Sequence, residues 1–213
     1  MSLLATFFST ALITWPTFAQ PAEPAISMQK LKLIPVPRLR QATDYTCGVC
    51  ALQAVLAYYG DDIREDELAL ALKANPRDGT RYQAIADYGV KQGYSVEIKK
   101  DATLAALEAT LKKGLPAIVL LQAWAENKSK QDDYAKNWED GHYVVAVGFD
   151  DERIYFMDPS TMGNYAYVKR SDFLKRWHDT DGKERLHNFF MVLSKKPAAQ
   201  AAMHDPDAVT EMK

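Results

Sequence analysis

The chain has 213 residues, of which 47% are hydrophobic and 25% charged, and its formal net charge is −2 at pH 7. These values are typical of a globular protein with one buried core, and the length is too short for two full domains. Because acidic and basic residues nearly balance, no basic surface field is available to hold a phosphate backbone, and we expect no nucleic-acid partner.

The N-terminus differs in composition from the rest of the chain. Residues 3–15 are apolar with small hydroxyl residues, carry no charge and are followed by Pro16. Small residues then precede a candidate cleavage site between Ala19 and Gln20. This pattern predicts a signal peptide over 1–19 and an exported protein, periplasmic or secreted. No lysine or arginine precedes the apolar run, so an uncleaved N-terminal membrane anchor is the alternative, and we expect no other membrane partner.

The N-terminal half is predicted to be mainly helical. Residues 20–40 predict a linker followed by a first edge strand over 31–36, limited by prolines. Directly after Thr46 the apolar residues recur at helical spacing, and Gly60 ends that helix, with Thr46 or Asp44 as its N-cap. Three more helices and two strands follow in this half: helices over 65–73, 81–92 and 104–111, and strands over 94–98 and 117–121.

The C-terminal half is predicted to consist mainly of antiparallel strands. Two strand-like runs, 143–149 and 154–157, are joined by a short link that contains Asp150, Asp151 and Glu152 and predict a hairpin. A helix over 171–177 and a strand over 188–193 follow.

The order of these elements, helices first and antiparallel strands later, indicates the α+β class. We assign 41–195 to one domain and 196–213 to a disordered polar tail. The loop 124–140 and the aromatic stretch 157–177 receive no role from the sequence pattern.

Only two cysteines occur, Cys47 and Cys50, three positions apart. Cysteines so close cannot connect distant parts of the chain, so they indicate chemistry rather than a disulfide framework. Cys47 lies at the predicted start of a helix, where unpaired N–H groups and the helix dipole favour a thiolate. Gly48 would let a substrate chain approach the sulfur, whereas Cys50 falls on the apolar face of the helix and suits a buried cysteine.

A histidine and an aspartate lie at the matching end of the predicted hairpin. His142 opens the first strand and Asp158 closes the second. In an antiparallel pair the start of one strand lies beside the end of the next, so the two side chains are predicted to be neighbours. A thiolate mechanism needs such a pair, a base and the carboxylate that orients it.

Three segments together resemble the bacteriocin-processing (double-glycine leader) peptidases, which are papain-like cysteine peptidases. Residues 41–52, QATDYTCGVCAL, place a glutamine six residues before a Cys-Gly pair, with a second cysteine three residues later. Residues 141–150, GHYVVAVGFD, resemble the histidine strand of that family, and residues 157–159, MDP, its aspartate turn. The family members best known for leader processing are fused to a membrane transporter, whereas this chain resembles a stand-alone exported member, so cleavage after Gly-Gly is an analogy.

The resemblance implies a papain-like fold, in which an N-terminal helical half carrying the Cys47 helix packs on a C-terminal antiparallel sheet carrying His142 and Asp158. Cys47 would attack a carbonyl carbon, His142 would take and return a proton, and Asp158 would hold the imidazole tautomer. The Gln41 side chain and the Cys47 N–H would form the oxyanion hole. A peptide or protein substrate and no cofactor are implied.

Three alternatives remain open at the level of sequence. A Cys-x-x-Cys at a helix start is also the pattern of a thiol-disulfide oxidoreductase that uses Cys47 and Cys50. A catalytically silent peptide-binding member of the fold is the second, and an enzyme that transfers the acyl group to an amine is the third. A metal site is not indicated, since the four histidines are dispersed, and His178 and His187 are interpreted as surface or interface residues.

Overall fold

The computed structural model describes residues 32–126 and 133–195. Five helices lie in these ranges: α1 (Cys47–Tyr58), α2 (Glu65–Leu72), α3 (Tyr82–Lys91), α4 (Leu104–Lys112) and α5 (Arg170–Arg176). The strands are β1 (Ser95–Lys99), β2 (Ala117–Gln122), β3 (Gly141–Phe149), β4 (Arg153–Met157), β5 (Ala166–Lys169), β6 (His178–Asp181), β7 (Glu184–His187) and β8 (Phe190–Ser194). The predicted signal peptide over 1–19 and the predicted tail over 196–213 lie outside the described residues.

The strands form a six-stranded antiparallel sheet, in the order β1-β8-β2-β3-β4-β5, and a separate hairpin of β6 and β7. Helices α1 and α4 contact β3, and α5 contacts β2, β4 and β5. Because both faces of the central strands are covered, β2 is buried at all six positions, which explains its continuous apolar sequence. The α+β prediction is confirmed. None of the helices in the two described ranges is long and apolar enough to cross a membrane.

Helix α1 begins where the sequence predicts. Thr46 is its N-cap residue, but the Thr46 side chain makes no capping bond to the helix and donates instead to the Thr43 carbonyl at 3.2 Å. At the other end Gly60 has φ of +86°, and the Asp61 N–H donates to the Leu56 carbonyl at 3.0 Å. Gly60 therefore ends the helix in the left-handed backbone conformation that favours glycine, and the predicted end of the helix is confirmed.

The edge strand predicted over 31–36 is wrong for the residues that the structure describes, since 32–36 form no strand. One hydrogen bond, from the Ile34 N–H to the Val147 carbonyl at 2.7 Å, fixes this segment beside β3. Pro35 and Pro37 have no N–H to continue a ladder, so the pairing stops after a single bond.

The sequence pattern also missed three strands, β5, β6 and β7. The sequences of β6 and β7, HDTD and ERLH, are charged and give no strand-like alternation. Long-range contacts hold this hairpin: Asp181 accepts from the Arg81 side chain at 2.9 Å and from the Tyr82 N–H at 3.0 Å. A carboxylate from a hairpin distant in sequence thereby accepts a hydrogen bond from a backbone N–H in the first turn of α3.

His178 is not a surface residue, which corrects the interpretation from sequence. It lies on β6 with only 6% of its surface exposed, and its Nε2 is 2.7 Å from the Asn137 carbonyl oxygen. Burial is possible for this polar ring because the ring packs against Trp138, with the centroids 4.4 Å apart, and because its nitrogen has a hydrogen-bond partner.

Candidate active site

Cys47 is the first residue of α1 and is partly exposed, while Cys50, one turn later, is fully buried. Both thiols are free. Burial is the main cause that raises the pKa of the Cys50 thiol, so Cys50 is a neutral core residue, as its place on the apolar face predicts. Gly48 is buried as well: a Cβ there would lie 2.8 Å from the Thr80 Cβ. Packing therefore explains this glycine, and the interpretation based on substrate access is not needed.

The structure brings His142 and Asp158 together. In the β3–β4 ladder Val145 pairs with Met157, so Asp158, the residue after Met157, lies opposite Val144. His142 comes two residues before Val144 on β3, and its side chain therefore lies on the same face of the sheet as that of Val144. The His142 Nε2 is 2.8 Å from Asp158 Oδ1, and both side chains are buried. The hairpin predicted from the short link is confirmed.

The imidazole of His142 interacts with both Asp158 and Cys47. Asp158 Oδ1 lies 2.8 Å from Nε2, which leaves Nδ1 as the ring nitrogen available to Cys47. Burial disfavours the imidazolium, but the hydrogen bonds to Asp158 and Cys47 and the charges of both groups outweigh it, and the pKa of His142 rises to about 9. Burial likewise opposes ionisation of Asp158, but the contacts with His142 are stronger and the pKa of Asp158 is lowered.

Four donors hold the Asp158 carboxylate. Besides His142 these are the Ser160 N–H at 2.8 Å, the Trp124 indole Nε1–H at 3.1 Å and the Thr161 hydroxyl at 3.4 Å. The Ser160 contact is an Asx turn, which the Asp-Pro-Ser sequence could have predicted. The Trp124 contact comes from the loop 124–140, to which the sequence assigns no role, and no local signal indicates it.

Gln41 lies beside the turn that follows Asp158. Its backbone N–H donates to the Pro159 carbonyl at 3.1 Å, and the Ser160 hydroxyl donates to its side-chain oxygen at 3.4 Å. The side-chain amide donates to the Thr43 carbonyl at 2.7 Å. Since a primary amide carries two N–H donors, one remains for another acceptor. The four residues predicted from the sequence thus belong to two neighbouring segments of the structure, the turn before α1 and the open end of the β3–β4 hairpin.

A second buried carboxylate, Asp179, lies at the same end of β3, and sequence reasoning missed it. A Cβ on Gly141 would lie 2.1 Å from the Asp179 carboxylate, so the glycine before His142 makes room for it. Gln122 donates to Asp179 at 3.0 Å. Burial dominates here and raises the pKa of Asp179 to about 6.

The comparison with protein families matches this chain to the Peptidase_C39 like family over residues 33–184. That range is more than half of the 213 residues and contains Cys47, His142 and Asp158. The chain belongs to the C39-like peptidase family. The resemblance to bacteriocin-processing peptidases is confirmed by a relative in Pediococcus acidilactici, the pediocin PA-1 transport/processing ATP-binding protein PedD, which is 25% identical over 137 residues. That match covers 64% of this chain and 17% of PedD, so the chain spans a small part of its relative.

Solved structures of C39 peptidases have the same fold. A C39-like peptidase from Bacillus anthracis aligns with a TM-score of 0.59 at 18% identity, covering 78% of this chain and 98% of its own. The peptidase domain of Streptococcus ComA, a bifunctional ABC transporter in a quorum-sensing pathway, aligns with a TM-score of 0.52 at 19% identity, covering 78% and 99%. The papain-like α+β fold predicted for this C39-like chain is therefore confirmed.

Proposed function

We propose that this C39-like chain is a cysteine peptidase in which Cys47 is the nucleophile, His142 the general base and acid, and Asp158 the residue that orients the imidazole. The observation that carries the proposal is the buried His142, whose Nε2 is 2.8 Å from Asp158 and whose pKa is raised by both Asp158 and Cys47. A dithiol exchange between Cys47 and Cys50 needs no such pair, so the geometry favours peptide hydrolysis over the redox alternative.

The reaction follows from the charges of these groups. His142 holds the proton of Cys47, and the thiolate attacks the carbonyl carbon of the peptide bond, forming a C–S bond and an oxyanion. When the C–N bond breaks, His142 gives its proton to the departing amine and a thioester remains. A water molecule then loses a proton to His142 and attacks the thioester, which releases the carboxylate product and the Cys47 thiolate.

The oxyanion would be stabilised by two donors, the Cys47 N–H and the free N–H of the Gln41 amide. Two observations support this. The first N–H groups of a helix have no intrahelical acceptor, and the Thr46 side chain makes no capping bond to them. The Gln41 amide uses one donor on Thr43 and retains the other. Loss of one such donor typically lowers kcat by about 10²- to 10³-fold, so Gln41→Ala should retain residual activity.

The substrate class we propose is a peptide or a segment of a protein. A double-glycine motif protease from an AMS/PCAT transporter, solved in complex with its leader peptide, aligns with a TM-score of 0.50 at 18% identity, covering 76% of this chain and 91% of its own. PedD is described as a transport and processing protein. These names support a peptide substrate.

The decisive experiment compares the protein with its Cys47→Ala and Cys50→Ala variants on a peptide library analysed by mass spectrometry. We expect cleavage by the wild type and by Cys50→Ala and none by Cys47→Ala. Labelling by a thiol-directed, peptide-like electrophile should follow the same order. Equal loss of activity from both substitutions would favour the dithiol alternative, and tight peptide binding without any cleavage would favour a silent binding protein. Products extended by an added amine would indicate acyl transfer.

We also propose that the protein is exported, because residues 1–19 have the pattern of a signal peptide. Mass spectrometry of the protein recovered from outside the cytoplasm should give an N-terminus near Gln20. An intact Met1 would instead indicate a membrane anchor.

A further inference from the structure

Described residues of the two segments without a role in the sequence, the loop 124–140 and the aromatic stretch 157–177, line one pocket of about 450 Å³. Trp124 and Tyr134 line it from the loop, and Tyr167 lines it from β5. This volume is in the range of pockets that bind small organic groups.

The pocket adjoins the catalytic residues on the face of the sheet opposite α1. Val144 lines the pocket, whereas its neighbour Tyr143 lies against Gly48 of α1, because successive strand residues point to opposite faces. Asp158 forms part of the wall. One of its oxygens bonds to His142 and the other to Trp124, whose ring lines the pocket. The pocket thus begins at Asp158, one hydrogen bond from the His142 imidazole.

Arg176, at the end of α5, gives this pocket a positive charge. Its guanidinium lies over the Tyr134 ring, 4.0 Å from the centroid, which covers one face of the planar group. Among the residues that the structure describes, none accepts a hydrogen bond from its N–H groups. Its Nε is buried without a hydrogen-bond partner. Within residues 32–126 and 133–195 no carboxylate forms an ion pair with it, and Asp172 on the same helix pairs with Lys175 at 3.6 Å.

Two other arginines that stack on rings have a polar partner, unlike Arg176. Arg170, near Phe149, is paired with Glu108, and Arg38, near Tyr165, donates to the Gly163 carbonyl. Desolvation lowers the pKa of Arg176 and outweighs the opposing charges of Tyr134 and Asp172, which is the direction expected for a cation that is partly removed from water. An anion entering the pocket would lie closer to the guanidinium than Asp172 does and would compensate for the lost hydration, and the fork of N–H groups suits a carboxylate.

We propose that this pocket binds a carboxylate on the leaving-group side of the peptide substrate, with Arg176 as the group that recognises it. This specificity rests on the proposed peptidase function. His142 returns its proton to the departing amine, so the leaving segment passes the imidazole and reaches the pocket beyond Asp158. The aromatic walls would contact the aliphatic part of the bound residue. The carboxylate is either an aspartate or glutamate side chain or the C-terminus of a short leaving segment, and the two sources differ in the peptides that they select.

The test uses matched peptides that share a cleavable bond and differ only on the leaving side. One set carries Glu or Gln there, and another ends in a free carboxylate or in an amide. For the wild-type protein we expect kcat/KM about 10- to 100-fold higher for the carboxylate member of at least one pair, which corresponds to a charged hydrogen-bonded contact. The pair that shows the difference identifies the source.

Arg176→Met retains the apolar stem and removes the charge, so we expect it to abolish the preference, with both members of each pair cleaved at equal kcat/KM. Arg176→Glu should invert the preference toward a leaving-side lysine, a gain that misfolding cannot produce. Arg185→Met is the matched control and should keep the wild-type preference, because Arg185 also stacks on a ring, that of Trp138 at 4.8 Å, but is exposed on β7 and does not line the pocket.

A wild type that cleaves both members of each pair equally, or an Arg176→Met variant with the wild-type preference, overturns the pocket assignment while the peptidase function stands. If no peptide is cleaved and Cys47 is not labelled by the electrophile, the proposed function itself fails. The pocket assignment then depends on binding of the Glu and Gln peptides to Cys47→Ala protein, measured by calorimetry. Equal affinities overturn it.

Discussion

Asp158 and Asp179 are two buried carboxylates at the same end of β3, and they differ in ionisation. Their exposed fractions are almost equal, 5% and 7%. One contacts His142 directly, and the other packs on Gly141 beside it. Yet the pKa of Asp158 is lowered and the pKa of Asp179 is raised to about 6.

The difference lies in the donors that face each group. Burial raises the pKa in both places. Asp158 compensates for it with a cationic imidazole, a backbone N–H and an indole N–H. Asp179 accepts from the neutral Gln122 amide and the Thr180 backbone, and the nearby Asp181 charge opposes its ionisation. The charge and number of donors, more than depth, therefore decide which carboxylate can stabilise an imidazolium.

The largest expected effect separates the two carboxylates by activity. Asp158→Asn should lower kcat/KM by about 10²- to 10⁴-fold, since the amide gives the imidazolium no negative charge and does not hold the required tautomer. Asp179→Asn should leave kcat/KM within about threefold. Steady-state kinetics on one cleavable peptide measure both, and equal losses would break the distinction.

The next effect concerns stability. The pKa of Asp179 is about 6 in the folded protein and about 3.9 in an unfolded chain. Folding thus favours the neutral form of the carboxyl group. The contribution of this group to the free energy of unfolding is fully present below pH 4 and is lost as the pH rises through about 6. Asp179→Asn should therefore increase the free energy of unfolding relative to the wild type more at pH 8 than at pH 4. The difference between these two gains should be up to about 3 kcal/mol. Urea denaturation at both pH values measures this.

Asp87→Asn, which replaces an exposed carboxylate on α3, is the control for the stability experiment. It should give no such pH-dependent gain. A gain of the same size from Asp87→Asn would mean that overall charge, and not the burial of Asp179, controls the effect.

A third effect is the alkaline limit of activity. The pKa of His142 is about 9, so the imidazolium is present below this pH and is lost as the pH rises through it. We expect kcat/KM to fall with an apparent pKa near 9. In Asp158→Asn the fall should move to lower pH, because the hydrogen bond and charge that raise the pKa of His142 are gone. A pH–rate profile that stays flat to pH 10 would contradict the assignment of His142.

The smallest effect tests one donor alone. Trp124→Phe removes the indole N–H from Asp158, but Trp124 is 59% exposed, so water can replace the bond. A loss of about three- to fivefold in kcat/KM is expected. Trp138→Phe, in the same loop but without a bond to Asp158, serves as the control and should be neutral; a larger loss from Trp138→Phe would mean that the loop acts through its packing.

The sequence by itself determined the parts of the site that depend on local order. Helical spacing after Thr46 predicts that Cys47 begins a helix, and a short link between two apolar runs predicts that His142 and Asp158 meet. These predictions succeed because a helix and a hairpin are closed by interactions between residues near one another in sequence, and their apolar periods identify the buried faces.

Only the tertiary structure decided what surrounds these residues. Trp124 reaches Asp158 from 34 residues away, and Asp179 reaches Gly141 from a charged hairpin that has no strand-like pattern. Hydrophobic periodicity specifies which faces are buried, but it does not specify which polar groups of distant segments meet inside. Contacts between segments distant in sequence create the donors around Asp158, the unfavourable burial of Asp179 and the pocket of Arg176. These features therefore depend on the path of the whole chain.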